Sequence, residues 1–175
     1  MLERVIGVFK LDVNTFEEIE ADQNATMQAA TVVLIVALVG ALGSGIAALI
    51  TDTGFISSFI SSLIATFIGW LIWSAVTYFV GTTFFEGKAD IGEMLRVVGF
   101  AYAPQILGII PCIGWLIGLV WTLAAGFIAV RQGLDLDNTK AALTIGIGFI
   151  AYLIIFFVIG LIFGTGAAAM SAITG

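Results

Sequence analysis

Ser57, Ser58, Ser61, Ser62, Ala65, Thr66 and Gly69 recur at steps of three and four along one apolar stretch. At about 3.6 residues per turn they fall on one small, hydroxyl-rich helix face. Small residues let helices approach closely, and hydroxyls hydrogen-bond across the contact. The face therefore reads as a helix-packing surface or as the wall of a polar conduit or ligand cleft. Trp70 and Trp73 lie on the same stretch and would fill space between helices or line a pocket. A second group comprises Gly99, Tyr102, Pro104 and Gln105. Pro104 interrupts an apolar helix pattern, lacks a backbone donor and clashes with the carbonyl of Phe100. Tyr102 and Gln105 stand three residues apart beside that break. The group reads as a structural bend or as a ligand cleft at a kink.

Other chemistry is excluded by what the chain lacks. It has no His, which removes His-based acid–base and zinc motifs. Its single Cys112 cannot pair within the chain and has no cationic neighbour to lower its pKa. An ionisable group at mid-bilayer is a functional hypothesis by default. Here every Asp, Glu, Lys and Arg maps to a loop or a span end; Arg96 is the deepest and is expected to snorkel to the interface. This argues against carboxylate-driven pumps, ion-coupled transporters and intramembrane proteases. The pattern Gly-x-Gly-x-x-Ala occurs at Gly43–Ala48, Gly146–Ala151 and Gly164–Ala169, but inside apolar helices rather than after a strand, so it marks no dinucleotide site. Gly114/Gly118 and Gly160/Gly164 permit close helix approach. No catalytic residue, metal or cofactor is expected.

The elements that carry these groups follow from composition. Of the 175 residues 61% are hydrophobic and 10% charged, with a mean hydropathy of +1.17. A soluble domain has about 45–50% apolar and about 25% charged residues, so this chain is an integral membrane protein. A span needs about 20 mostly apolar residues. Five candidates fit: 28–50, a stretch within 55–85, 95–111, 114–130 and 141–164. The third and fourth are short and form a hairpin turning at Pro111 and Gly114. The fold expected is all-α, a polytopic membrane protein with five transmembrane helices. Residues 1–27 form an acidic N-terminal segment, 28–164 one membrane domain, and 165–175 a short C-terminal tail. Val5, Phe9, Val13 and Phe16 fall near helical spacing, so an amphipathic N-terminal segment lying on the membrane surface is expected. Thr15 and Glu18 read as its capping box.

Charge sets the orientation. Arg4 and Lys10 precede the first span, Lys88 and Arg96 lie between the second and third, and Arg131 and Lys140 lie between the fourth and fifth. With five crossings these segments share one side, and the other side holds no Lys or Arg. Loops on the cytoplasmic side carry the Lys/Arg excess, which places the N-terminus in the cytoplasm and the C-terminus outside a cell membrane. The net charge of −6 excludes nucleic acid, which requires a basic surface. The expected partners are membrane lipids and, through self-association or otherwise, membrane proteins.

Several segments resemble the Yip family (Ypt-interacting proteins): Gly99-Phe100-Ala101-Tyr102-Ala103-Pro104, then Ile110-Pro111-Cys112-Ile113-Gly114, Trp121, and Lys140-Ala141 opening the last span. The acidic Thr15-Phe16-Glu17-Glu18-Ile19 is similar to its prokaryotic members, and the likeness covers roughly residues 1–163. It implies five helices with a cytosolic N-terminus. Eukaryotic members bind prenylated Rab-type GTPases in vesicle traffic. Their Asp-Leu-Tyr-Gly-Pro motif is replaced here by Lys10-Leu11-Asp12-Val13-Asn14, so GTPase binding does not carry over. The role expected is non-enzymatic organisation of membrane or partner proteins by association within the bilayer. The rival is a small oligomeric channel, transporter or lipid-handling protein with a hydroxyl-lined path.

Overall fold

Residues 1–51, 54–110 and 113–174 are described by a computed structural model, the side chains of Thr51 and of residues 162–174 excepted. Pro111, Cys112 and Asp52, and the side chains of the Gly164–Ala169 pattern, lie outside the described residues. Every described element is helical: α1 (Leu2–Phe9), α2 (Val13–Ala21), α3 (Ala25–Thr51), α4 (Phe55–Phe85), α5 (Ile91–Ala101), a 3₁₀ helix (Ala103–Ile109), α6 (Gly114–Gly133) and α7 (Asn138–Thr174). Four of these, α3, α4, α6 and α7, are long and apolar enough to cross a membrane. Their outward side chains, among them Ile60, Ile64 and Leu71 of α4 and Leu153 and Phe157 of α7, are exposed. So much bare apolar surface suits lipid and not water. α7 continues through the segment expected as a tail.

The third expected span is not one helix. α5 ends at Ala101, and the chain tightens at Tyr102, whose N–H donates to the Gly99 carbonyl at 3.3 Å. Pro104 then sits in the first turn of the 3₁₀ helix. There its missing donor leaves no bond unmade, so the proline starts a new helix instead of kinking an old one. α5 and the 3₁₀ helix together still run antiparallel along the whole of α6. Gly133 packs on Met94 and Val97, Gly118 on Pro104 and Gln105, and Gly114 on Leu107 and Ile110.

α5 is the hub of the core. Seven of its eleven residues are buried, enclosed by α2, α3, α4 and α6. Phe100, Met94 and Val97 pack with Val33 of α3, Trp70 of α4 and Ala129 of α6. Trp70 Nε1 donates to the Leu95 carbonyl at 3.1 Å, and this bond locks α4 to α5. At the N-terminus of α5 the Asp90 carboxylate accepts from the Glu93 N–H at 2.8 Å and the Glu93 carboxylate from the Asp90 N–H at 2.6 Å, a full capping box.

The N-terminal segment is amphipathic and docks its apolar face on the other helices. α1 and α2 form a hairpin whose apolar residues Val8, Phe16 and Ile19 are fully buried against the other helices. Near its α2 end, Gln132 donates to the Glu17 carboxylate. At the end of α1, Trp121 Nε1 donates to the Phe9 carbonyl at 2.8 Å. Trp121 and Gln132 are about 16 Å apart along α6. The hairpin therefore stands alongside α6. Its cap also differs from the expected Thr15 box. Asp12 is the N-cap of α2, with its carboxylate accepting from the Asn14 N–H at 3.3 Å and the Thr15 hydroxyl at 2.8 Å.

Candidate functional site

The 86–90 and 134–137 loops gather with Arg4 and Arg96 at one pole, whereas the turn that carries Lys10 and Asp12 follows Phe9 beside Trp121. The Lys88 N–H donates to the Leu134 carbonyl at 2.9 Å, so the 86–90 and 134–137 loops lie side by side. Arg4 joins α1 to the start of α3. Its Nη2 reaches Asp22 at 2.7 Å and Glu18 at 2.8 Å, and its Nη1 donates to Gln28 at 3.3 Å. The Arg4 hydrogen bond holds the Asp22 carboxyl below its usual range.

Arg96 does not snorkel. Its side chain is buried, and Nε and Nη2 both donate to the Glu20 carbonyl, at 3.1 and 2.6 Å. That carbonyl belongs to the last turn of α2, where acceptors have no intrahelical partner and positive charge is favoured. The Glu20 carboxyl is pushed up to about 7, first by burial and then by the negative charges of Asp135, Glu17 and Glu93; Arg96 pulls the other way. A pKa raised from 4.5 favours docking in the protonated form. Glu20 therefore supports the docked hairpin fully below about pH 4.5, and that support is lost as pH rises through about 7. Amide exchange in α2, corrected for intrinsic rates, should be faster at pH 8 than at pH 5.5. Glu20→Gln should abolish that difference; a difference that persists in the variant would exclude Glu20 as its origin.

The hydroxyl face of α4 splits in two. Ser58, Ser62 and Thr66 are half-buried, the latter two beside α3, and Gly69 is fully buried, whereas Ser57, Ser61 and Ala65 are exposed. Ser44 of α3 donates to Ser62 at 3.2 Å, and Thr66 bonds back to the Ser62 carbonyl at 3.0 Å. This side is a packing contact. Beside it α3, Thr66 and the 3₁₀ helix frame a groove of about 670 Å³. Gly40, Gly43 and Gly108 line the groove, and a Cβ added at any of them would meet nothing within 4 Å.

The kink group also divides. Gly99 faces the core, where an added Cβ would lie 2.8 Å from Ala29 Cβ and 3.1 Å from Trp70 Nε1. Pro104 is buried. Tyr102 and Gln105 line a second cleft of about 330 Å³ between α4, α5, α6 and α7, together with Trp73, Thr122, Gly126 and Tyr152. The two tyrosine hydroxyls converge on Gly69, where a Cβ would sit 3.2 Å from Tyr152 Oη and 3.9 Å from Tyr102 Oη. Trp73 packs edge-on against Tyr152 with ring centroids 5.6 Å apart. Thr122 and Tyr152 were not marked by sequence. Only their shared polarity within apolar helices was visible, and nothing local pairs them with Tyr102. Among the described residues no group of His, Cys, Asp and Glu could hold a metal ion.

A protein-family model described as the Yip1 domain matches residues 6–161. No curated protein and no solved structure matches.

Proposed function

The chain belongs to the Yip1 domain family, and from that premise we propose that it is a non-enzymatic protein that organises membrane or partner proteins by association inside the bilayer. It is a multi-pass membrane protein. In our reading it crosses five times, with the N-terminus cytoplasmic and the C-terminus outside. The antiparallel run of α5 and the 3₁₀ helix beside all of α6 supports five crossings, because the broken segment covers the length of a helix that can span. The gathering of the 86–90 and 134–137 loops with Arg4 and Arg96 at one pole supports the orientation. Lipids and membrane proteins, a second copy included, are its partners.

The observation that carries this role is the groove of α3. Gly40 and Gly43 are exposed and bare, and with Gly108 they offer a backbone surface that another transmembrane helix can approach closely. The hydroxyl side of α4, by contrast, is engaged with α3 through Ser44 and Ser62, which supports packing over a conduit. Gly43→Cys in a Cys112→Ser background should crosslink in native membranes to a second copy or to another membrane protein. Ile147→Cys, on the exposed face of α7, should not. Gly43→Leu should lower recovery of that complex at least fivefold without loss of folded protein, because the added side chain enters open space. Equal crosslinking at both positions, or at neither, would contradict the role.

A further inference from the structure

The cleft between α4, α5, α6 and α7 is walled by apolar side chains yet holds polar groups that the protein does not satisfy. Thr122 Oγ1 is buried without a hydrogen-bond partner. Among the described residues neither the Tyr102 nor the Tyr152 hydroxyl bonds a protein group, nor does the side-chain amide of Gln105. Such groups are costly in a medium without water, so an occupant must supply their partners. The cleft holds no charged residue, so that occupant is neutral where it touches. Each hydroxyl and the amide has an N–H or O–H to donate, so an occupant with an acceptor oxygen satisfies them. The mouth lies among Leu119, Leu123 and Phe149, all exposed on helices that face lipid, so the occupant enters from the bilayer. The volume of about 330 Å³ stands at the small end of ligand pockets, which run from about 300 to about 1,000 Å³.

We infer that this cleft binds one fatty-acyl ester chain of an uncharged glycerolipid of the diacylglycerol class, which can sit at mid-depth without burying a charged headgroup, with its ester carbonyl accepting hydrogen bonds from Tyr102 and Tyr152 and its hydrocarbon lying along Leu123 and Phe149. Trp73, edge-on to Tyr152, fixes the position of that ring. Gly126 leaves the floor open, since a Cβ there would meet nothing within 4 Å. Among the described residues the cleft shares only Gln105 with the groove of α3, and Gly126 and Gly43 test the two separately.

The test reconstitutes the full chain in phosphatidylcholine vesicles doped with a diacylglycerol that carries a photoactivatable diazirine on one acyl chain. Crosslinked peptides are then mapped by mass spectrometry. Adducts should concentrate on residues 119–127 and 145–152 over those on the outer face of α4 around Phe79. Gly126→Leu, which fills the cleft while keeping every polar group, should lower the cleft adducts at least fivefold and leave those near Phe79 unchanged. Tyr102→Phe with Tyr152→Phe should lower them about threefold or more. Adducts spread evenly over the lipid-facing surface, or cleft adducts insensitive to Gly126→Leu, would overturn the site and leave water as the partner of the tyrosines.

Discussion

Replacing Arg96 by Ala will release the α1–α2 hairpin from the rest of the molecule. The guanidinium makes two charged hydrogen bonds to one carbonyl, Glu20 O, on an element 76 residues away in sequence. A hydrogen bond involving a charged group is worth about 1.5–3 kcal/mol. The substitution also orphans a helix-terminal acceptor and leaves the volume of a buried stem empty. A loss of about 3 kcal/mol in local docking raises amide exchange across residues 2–21 by about 100-fold. Arg96→Lys keeps the charge but offers a point donor in place of a fork, and should recover only part of the protection. Exchange in α7, which does not depend on this contact, should stay unchanged. A change below threefold in the hairpin would mean that burial of Val8, Phe16 and Ile19 holds it without Arg96.

Gly99→Val will destabilise the helical core more than any substitution in the α3 groove. The Cβ at this position meets Ala29 Cβ at 2.8 Å and Trp70 Nε1 at 3.1 Å. Neither can yield cheaply. Ala29 is fixed to the α3 backbone, and the indole is held by its bond to the Leu95 carbonyl. Overpacking of this kind costs about 1–3 kcal/mol, which for a chain of this size lowers Tm by about 4–8 °C at the middle of that range. Gly43→Ala adds a methyl where nothing lies within 4 Å and should shift Tm by less than about 1 °C. Thermal unfolding in one detergent compares the two directly. Equal shifts would show that α5 is not held as closely as the distances imply.

Much of the fold was legible from the length and composition of the apolar runs. Apolar runs marked α3, α4, α6 and α7, because hydrocarbon thickness sets a length that composition displays. The same measure did not show that the stretch 95–111 is divided between α5 and a 3₁₀ helix. Seven of the eleven residues of α5 are buried by protein, and hydropathy does not distinguish protein from lipid. Pro104 signalled a break, but the 3₁₀ helix that follows it and the close approach of Gly118 to the Pro104 carbonyl are visible only in the fold. The box at Asp90 and Glu93 is readable from its spacing, whereas the similar pattern at Thr15 and Glu18 is not a box because Asp12 is the cap of α2.

The site was legible in part. Tyr102 and Gln105 do share a cleft, whereas Gly99 and Pro104 serve the core beside it. The α4 stripe is wider than one helix contact, so periodicity alone could not tell that Ser62 meets α3 while Ser57, Ser61 and Ala65 face outward. Arg96 and Glu20, like Tyr102 and Tyr152, are joined only by the fold. Nothing in the residues around them announces the partner.

The measurement that bears most directly on the account is the sidedness of the two termini. One reporter active only in the cytoplasm and one active only outside can each be fused before Met1 and after Gly175, in all four pairings. Five crossings predict that the cytoplasmic reporter works only at the N-terminus and the external one only at the C-terminus. Activity of a single reporter at both ends would mean an even number of crossings. The segment from Ile91 to Ile109 would then not carry the chain across the bilayer.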